Sequence, residues 1–88
     1  MSSNIVPEGM NNIGKRISPS HRQAGNDMLK KIGIESSDDR ALCIREVSDL
    51  LERDRPDAAM ARAEDFVDLT AVYMLFAALL APIKKTSF

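Results

Sequence analysis

A chain of 88 residues with a formal net charge of −1 and a single cysteine makes at most one small domain. One cysteine excludes an intramolecular disulfide, no Cys or Cys/His pair has metal-ligand spacing, and a near-neutral balance argues against attachment to nucleic acid by bulk charge. Below about 70–80 ordered residues a core rarely supplies more than about 3–5 kcal/mol, so oligomerisation or docking on another protein is the remaining route to stability.

The charge is unevenly spread. Met1 to Ile34 carry five bases and two acids, Glu35 to Asp68 carry five bases and eleven acids, and only Lys84 and Lys85 follow. Such asymmetry steers partners, although a solvated helix face produces the same count. The N-terminus lacks both a basic start and an apolar run, so no secretory signal is expected, and the lone thiol fits a cytoplasmic location.

In chain order, Met1 to Ser18 hold Pro7, Gly9, Gly14 and several Asn and Ser, with Ile5, Val6, Met10, Ile13 and Ile17 at no sustained period. Residues 1–18 therefore read as a flexible arm ahead of a small helical interaction domain, 19–88. Lys15, Arg16 and Arg22 are the candidate electrostatic contacts to a partner. A short accessory helix is expected over 19–32, opened by Ser18-Pro19 and stopped by Gly33. Gly25 weakens its middle by about 1 kcal/mol relative to alanine.

A second helix is expected over 38–54. Ser36 and Ser37 offer caps, Asp38 and Asp39 suit the first turn, and Leu42, Cys43, Ile44, Val47, Leu50 and Leu51 form one apolar stripe. Pro56 breaks the chain and opens a third helix, expected over 56–81 and ended by Pro82. A break this short favours antiparallel neighbours, so the fold class is all-α: an antiparallel hairpin of 38–54 and 56–81 with the accessory helix and the arm.

The third helix changes character along its length. Its first half is rich in alanine; from Leu69 onward almost no polar residue remains, and a helix apolar all round belongs inside something. The run from Leu69 to Ile83 is 15 residues, about 22 Å against about 30 Å of bilayer hydrocarbon, which is short for spanning. The first two helices cover one side of it. Five large side chains left in water would forgo about 10 kcal/mol, comparable with the stability of a whole domain. The expected interface is therefore Phe66, Leu69, Val72, Tyr73, Leu75, Phe76, Leu79 and Leu80, closed most simply as a symmetric homodimer.

No chemistry-bearing constellation accompanies these helices. His21 stands without partners and reads as a surface residue, and Cys43 falls on an apolar stripe and reads as a buried structural thiol. With no phosphate-binding glycine loop, metal-ligand set or nucleophile–base pair, the chain is expected to be no enzyme and to need no cofactor. The stretch from Leu69 to Lys85, an aliphatic helix followed by a proline and lysine, resembles the end of the TraM quorum-sensing antiactivators, small all-helical proteins that bind and silence a transcription factor. That likeness spans under a fifth of the chain, contains no diagnostic motif, and departs from the family at the short break around Pro56. Small helical secretion chaperones fit the general shape equally well, and no family is assigned.

The functional expectation is a non-catalytic interaction module, a small regulator, adaptor or chaperone-like binder that dimerises, binds a partner protein, or both. Two alternatives stand beside it. One is a transcriptional regulator or other nucleic-acid binder using the basic arm, disfavoured because a recognition helix opening with Glu35, Asp38 and Asp39 meets phosphate repulsion. The other is a membrane-associated protein anchored by the C-terminal helix, with Lys84 and Lys85 at the interface.

Overall fold

The computed structural model describes residues 13–81. Among these the chain is all-helical: α1 (Pro19–Lys31), α2 (Ser37–Glu52), α3 (Pro56–Ala63) and α4 (Leu69–Leu80). In space α1 packs against both α4 and α2, and α3 packs against α2.

Local chemistry sets each boundary. The Ser18 hydroxyl accepts the His21 N–H at 3.1 Å, with Pro19 opening α1. The Ser36 hydroxyl accepts the Asp39 N–H at 3.2 Å at the start of α2, where Asp38 and Asp39 complement the helix dipole. Both helices end in the same way. Gly33 at φ 111° closes α1, with the Ile34 N–H on the Leu29 carbonyl and the Gly33 N–H on that of Lys30. Asp54 at φ 60° closes α2, with the Arg55 N–H on the Leu50 carbonyl and the Asp54 N–H on that of Leu51. A left-handed residue after the last turn is the usual way to satisfy the final carbonyls, and aspartate tolerates that conformation better than most side chains.

The segment expected as one helix over 56–81 is two. α3 stops at Ala63, the N–H groups of Phe66 and Val67 both turn back to the Ala63 carbonyl, and the Asp68 carboxylate caps α4 by accepting the Ala71 N–H at 2.9 Å. The apolar phase explains the break. On a straight helix, Thr70 and Met74 would continue the face that Ala59 and Ala63 bury against α2, because seven residues make about two turns. The bulky residues sit instead at Val72, Leu75 and Leu79. Interrupting the helix re-phases them so that they meet α1, and a continuous rod about 39 Å long would have carried them past it.

The accessory helix turns out to be the centre of the fold. Gly25 and Leu29 of α1 are buried, and a Cβ built on Gly25 would lie 2.9 Å from Ile44 Cδ1, 3.0 Å from Leu79 Cδ2 and 3.2 Å from Leu75 Cδ1. The glycine lost to helix propensity is thus what lets α2 and α4 close on α1. Leu29, Cys43, Val47, Leu51, Val72 and Leu75 form the middle of one continuous core.

The packed chain begins ahead of the boundary expected at residue 18. Ile17 is buried, its N–H donates to Glu52 Oε2 at 2.6 Å, and the Gly14 N–H donates to the Leu51 carbonyl at 2.9 Å. The remainder of the expected arm, residues 1–12, lies outside the described residues, as do 82–88.

Candidate functional site

Among the described residues, the exposed large hydrophobic side chains stand at the end of α1 and on α4. Ile32 is 40% exposed, Leu69 45%, Tyr73 57% and Met74 47%. Helical spacing puts Leu69 and Tyr73 one turn apart on α4, with Met74 next to them. Beside this strip runs an open groove of about 410 Å³ between Ile32–Ile34 and α4, floored by Phe66, Val67 and Ala71 and edged by Thr70 and Met74. It continues past Gly33, Ile34 and Phe66 into a second hollow of about 500 Å³, whose walls carry Glu35, Asp39 and Asp65. One end is apolar and the other is acidic.

Three anchors hold the groove walls. Arg40, buried at the start of α2, donates from Nη1 to the carbonyls of Ile34 at 2.6 Å and Glu35 at 2.9 Å, and from Nε to Asn26 Oδ1 at 3.1 Å. It fixes the α1–α2 connection by satisfying carbonyls rather than by pairing with a carboxylate. Arg62 of α3 bonds Glu46 of α2 and, at 2.8 Å, Asp65 in the α3–α4 turn, and its guanidinium lies 4.9 Å from the Phe66 ring centroid. The Asp65 and Glu46 carboxylates hold its protonated form above the ordinary arginine value. Asp68, the cap of α4, completes the rim.

The eight residues expected at the interface divide. Leu69 and Tyr73 are exposed and belong to the strip. Phe66 lines both halves of the groove, and Phe76 is half-buried against the core. Val72, Leu75, Leu79 and Leu80 are buried inside the protein and offer nothing to a partner, which corrects that part of the expectation. The reason is the same break after Ala63: it turns this face of α4 onto α1, where sequence spacing alone had left it uncovered. Ile32 and Met74, absent from the expected set, join the strip; Ile32 carried a signal, as an apolar residue immediately before the terminating glycine.

Of the basic candidates, Lys15 and Arg16 are exposed. Arg22 is committed: its Nη2 donates to Glu52 Oε2 at 3.0 Å and its Nε to the Ile17 carbonyl at 3.3 Å. Burial pushes the Glu52 carboxyl up, but the Ile17 N–H, the Arg22 guanidinium and the charge of Arg16 outweigh it and hold the group below the usual carboxylate value.

Of the two residues weighed for chemistry, Cys43 is buried in the core and His21 is held by hydrogen bonds. Burial drives the Cys43 thiol up to about 11, against a lowering by Arg62 and with a further raising by Glu46, so it is a poor nucleophile. His21, expected on the surface without partners, is half-buried and bridges two elements. Its Nε2 lies 2.6 Å from the Ala81 carbonyl and its Nδ1 2.6 Å from the Ser18 hydroxyl. A carbonyl only accepts, so in the neutral ring Nε2 carries the proton and Nδ1 accepts from Ser18. The ring ties the start of α1 to the end of α4, 60 residues away in sequence.

Among the described residues, no group of three or more His, Cys, Asp or Glu is placed to hold a metal ion, and no helix is long and apolar enough to cross a membrane. Comparison with protein-family models, curated proteins and solved structures finds no match to this chain.

Proposed function

We propose that this protein is a non-catalytic interaction module, a regulator, adaptor or chaperone-like binder, that docks a second copy of itself or another protein on the strip formed by Ile32, Leu69, Tyr73 and Met74. The observation that carries the reading is their exposure at the end of α1 and on α4, next to an open apolar groove, while the other large aliphatic residues among those described are buried or half-buried. A patch of that kind, rimmed by charge, marks an interaction site more often than a bare surface. Tyr73 and Met74 suit the role, since an amphipathic ring and a flexible thioether adapt to a partner with little loss of fit. The unpaired, buried thiol of Cys43 fits a reducing compartment such as the cytoplasm.

The test is solution mass by light scattering without detergent, from low to high micromolar concentration. Self-association predicts a dimer, reduced to monomer by Tyr73→Asp or Met74→Asp with the helical circular dichroism unchanged. Both positions are exposed, so these substitutions leave the core intact, which Asp at half-buried Phe76 would not. A wild-type chain monomeric at every concentration would refute self-association. The nucleic-acid alternative finds less support, because Arg22 is already held by Glu52.

A further inference from the structure

The groove is apolar at one end and acidic at the other, and one stretch of this chain has the complementary pattern. Glu35 and Asp39 face the acidic hollow, and among the described residues neither has an ion pair. Asp65 and Asp68 stand on the other wall, and among the described residues no basic side chain lines either half of the groove. The nearest guanidiniums are occupied, Arg40 with carbonyls and Arg62 with Glu46 and Asp65. From Leu69 onward the chain contains no acid and two bases, in the sequence Pro82-Ile83-Lys84-Lys85. Its apolar Ile83 and adjoining lysines match the two ends of the groove.

We propose that the groove receives residues 83–85 of a second copy of this chain, in a twofold dimer built on antiparallel α4 helices. The proposal rests on the self-association reading above and names the occupant of the same site.

Reach decides between the chain's own segment and a partner's. α4 runs antiparallel to α1, since Ala81 bonds His21 at the start of α1 while Met74 lies across the groove from Ile32 at its end. Lys85 is four residues beyond Ala81, at most about 14 Å of extended chain. Asp68 lies thirteen residues back from Ala81 along α4, about 20 Å, and the acidic hollow begins beyond it. Even with its side chain extended, a chain's own Lys85 reaches no further than about Asp68 and falls short of Glu35 and Asp39 in the hollow beyond it. In an antiparallel pair of α4 helices, the end of one helix stands beside the start of the other, which carries the partner's lysines to the acidic rim. The same pairing covers Leu69 and Tyr73 of both copies, and twofold symmetry makes the exchange reciprocal, so both grooves are filled and assembly stops at two.

A charge exchange between full-length chains tests this. One variant carries Lys84→Glu with Lys85→Glu; the other carries Glu35→Lys with Asp39→Lys, both at exposed positions. Each variant alone sets like charges against each other at both grooves and is expected to dimerise at least about 30-fold more weakly than wild type, while an equimolar mixture restores the dimer. Wild-type-like mass for the Lys84/Lys85 variant alone would overturn the exchange and leave the docking strip standing. If the dimer instead survives Tyr73→Asp, it is the strip that fails. A monomeric wild-type chain would overturn the proposal outright. A second measurement does not depend on the groove variant folding. A synthetic peptide of residues 81–88, titrated into the isotope-labelled Lys84→Glu/Lys85→Glu chain, is expected to shift the amides of Gly33, Ile34, Asp39 and Phe66; unshifted amides there would overturn the proposal.

Discussion

Replacing Gly25 by alanine sets two effects of similar size against each other, and the geometry around α1 decides the sign. In an unobstructed helix interior the change stabilises by about 0.8–1 kcal/mol, because glycine carries the larger backbone entropy cost. Here the added methyl meets three core side chains at 2.9–3.2 Å, from Ile44, Leu75 and Leu79. Each contact is with a terminal methyl that can shift a little, but the three belong to two different helices and cannot all retreat without opening the core. Overpacking of this kind costs about 1–3 kcal/mol, so Gly25→Ala is expected to be destabilising by about 1 kcal/mol net. Gly25→Val, with two further methyls and a poorer helix former, should lose about 3 kcal/mol. The neighbouring exposed residue serves as the control: Ala24→Gly should cost the ordinary helix penalty of about 1 kcal/mol. Urea denaturation at constant protein concentration measures all three, and each kcal/mol corresponds to about 4–8 °C in Tm for a domain of this size. A Gly25→Ala variant stabilised by the full helix-propensity gain would refute the close approach of α2 and α4 to α1.

Three further outcomes follow from single side chains. Ser48 is fully buried and its hydroxyl has no hydrogen-bond partner among the described residues, so Ser48→Ala should stabilise by about 1 kcal/mol in the same urea assay, and a loss of stability would mean that the hydroxyl is satisfied. His21→Ala removes both bonds joining Ser18 to Ala81 and should cost about 1–2 kcal/mol while speeding amide exchange at the end of α4; an unchanged exchange pattern there would count against the clamp. Glu52 is held below its unfolded carboxyl value, so its contribution is fully present above about pH 4.3 and is lost as pH falls through the lowered folded value. Wild type should therefore lose more stability on acidification than Glu52→Gln, and parallel pH profiles would refute that assignment.

Much of the local structure was legible because it is written in short-range chemistry. Ser18-Pro19, Ser36 followed by two aspartates, and Pro56 announce three of the four helix starts, and Gly33 announces one stop. Asp68 gave the fourth start as plainly, but stood within a run whose apolar character suggested continuity. Asp54 closes α2 in a conformation usually given to glycine, which residue type alone does not reveal. The site was half legible. Leu69, Tyr73 and Phe66 could be picked out as part of an apolar excess, but periodicity cannot tell a face turned to the core from one turned to solvent when nearly every face is apolar.

The sequence by itself determined that this is a small all-α chain, where three of its helices start, and that it holds more apolar surface than a hairpin can cover, because propensity, capping and period act within a few residues. Only the tertiary structure decided which helix lies at the centre, why Gly25 must be a glycine, and that Val72, Leu75, Leu79 and Leu80 belong to the core while Ile32, Leu69, Tyr73 and Met74 stay outside. Those assignments depend on residues distant in sequence competing for the same space, and that competition is settled only when α1, α2 and α4 are packed together.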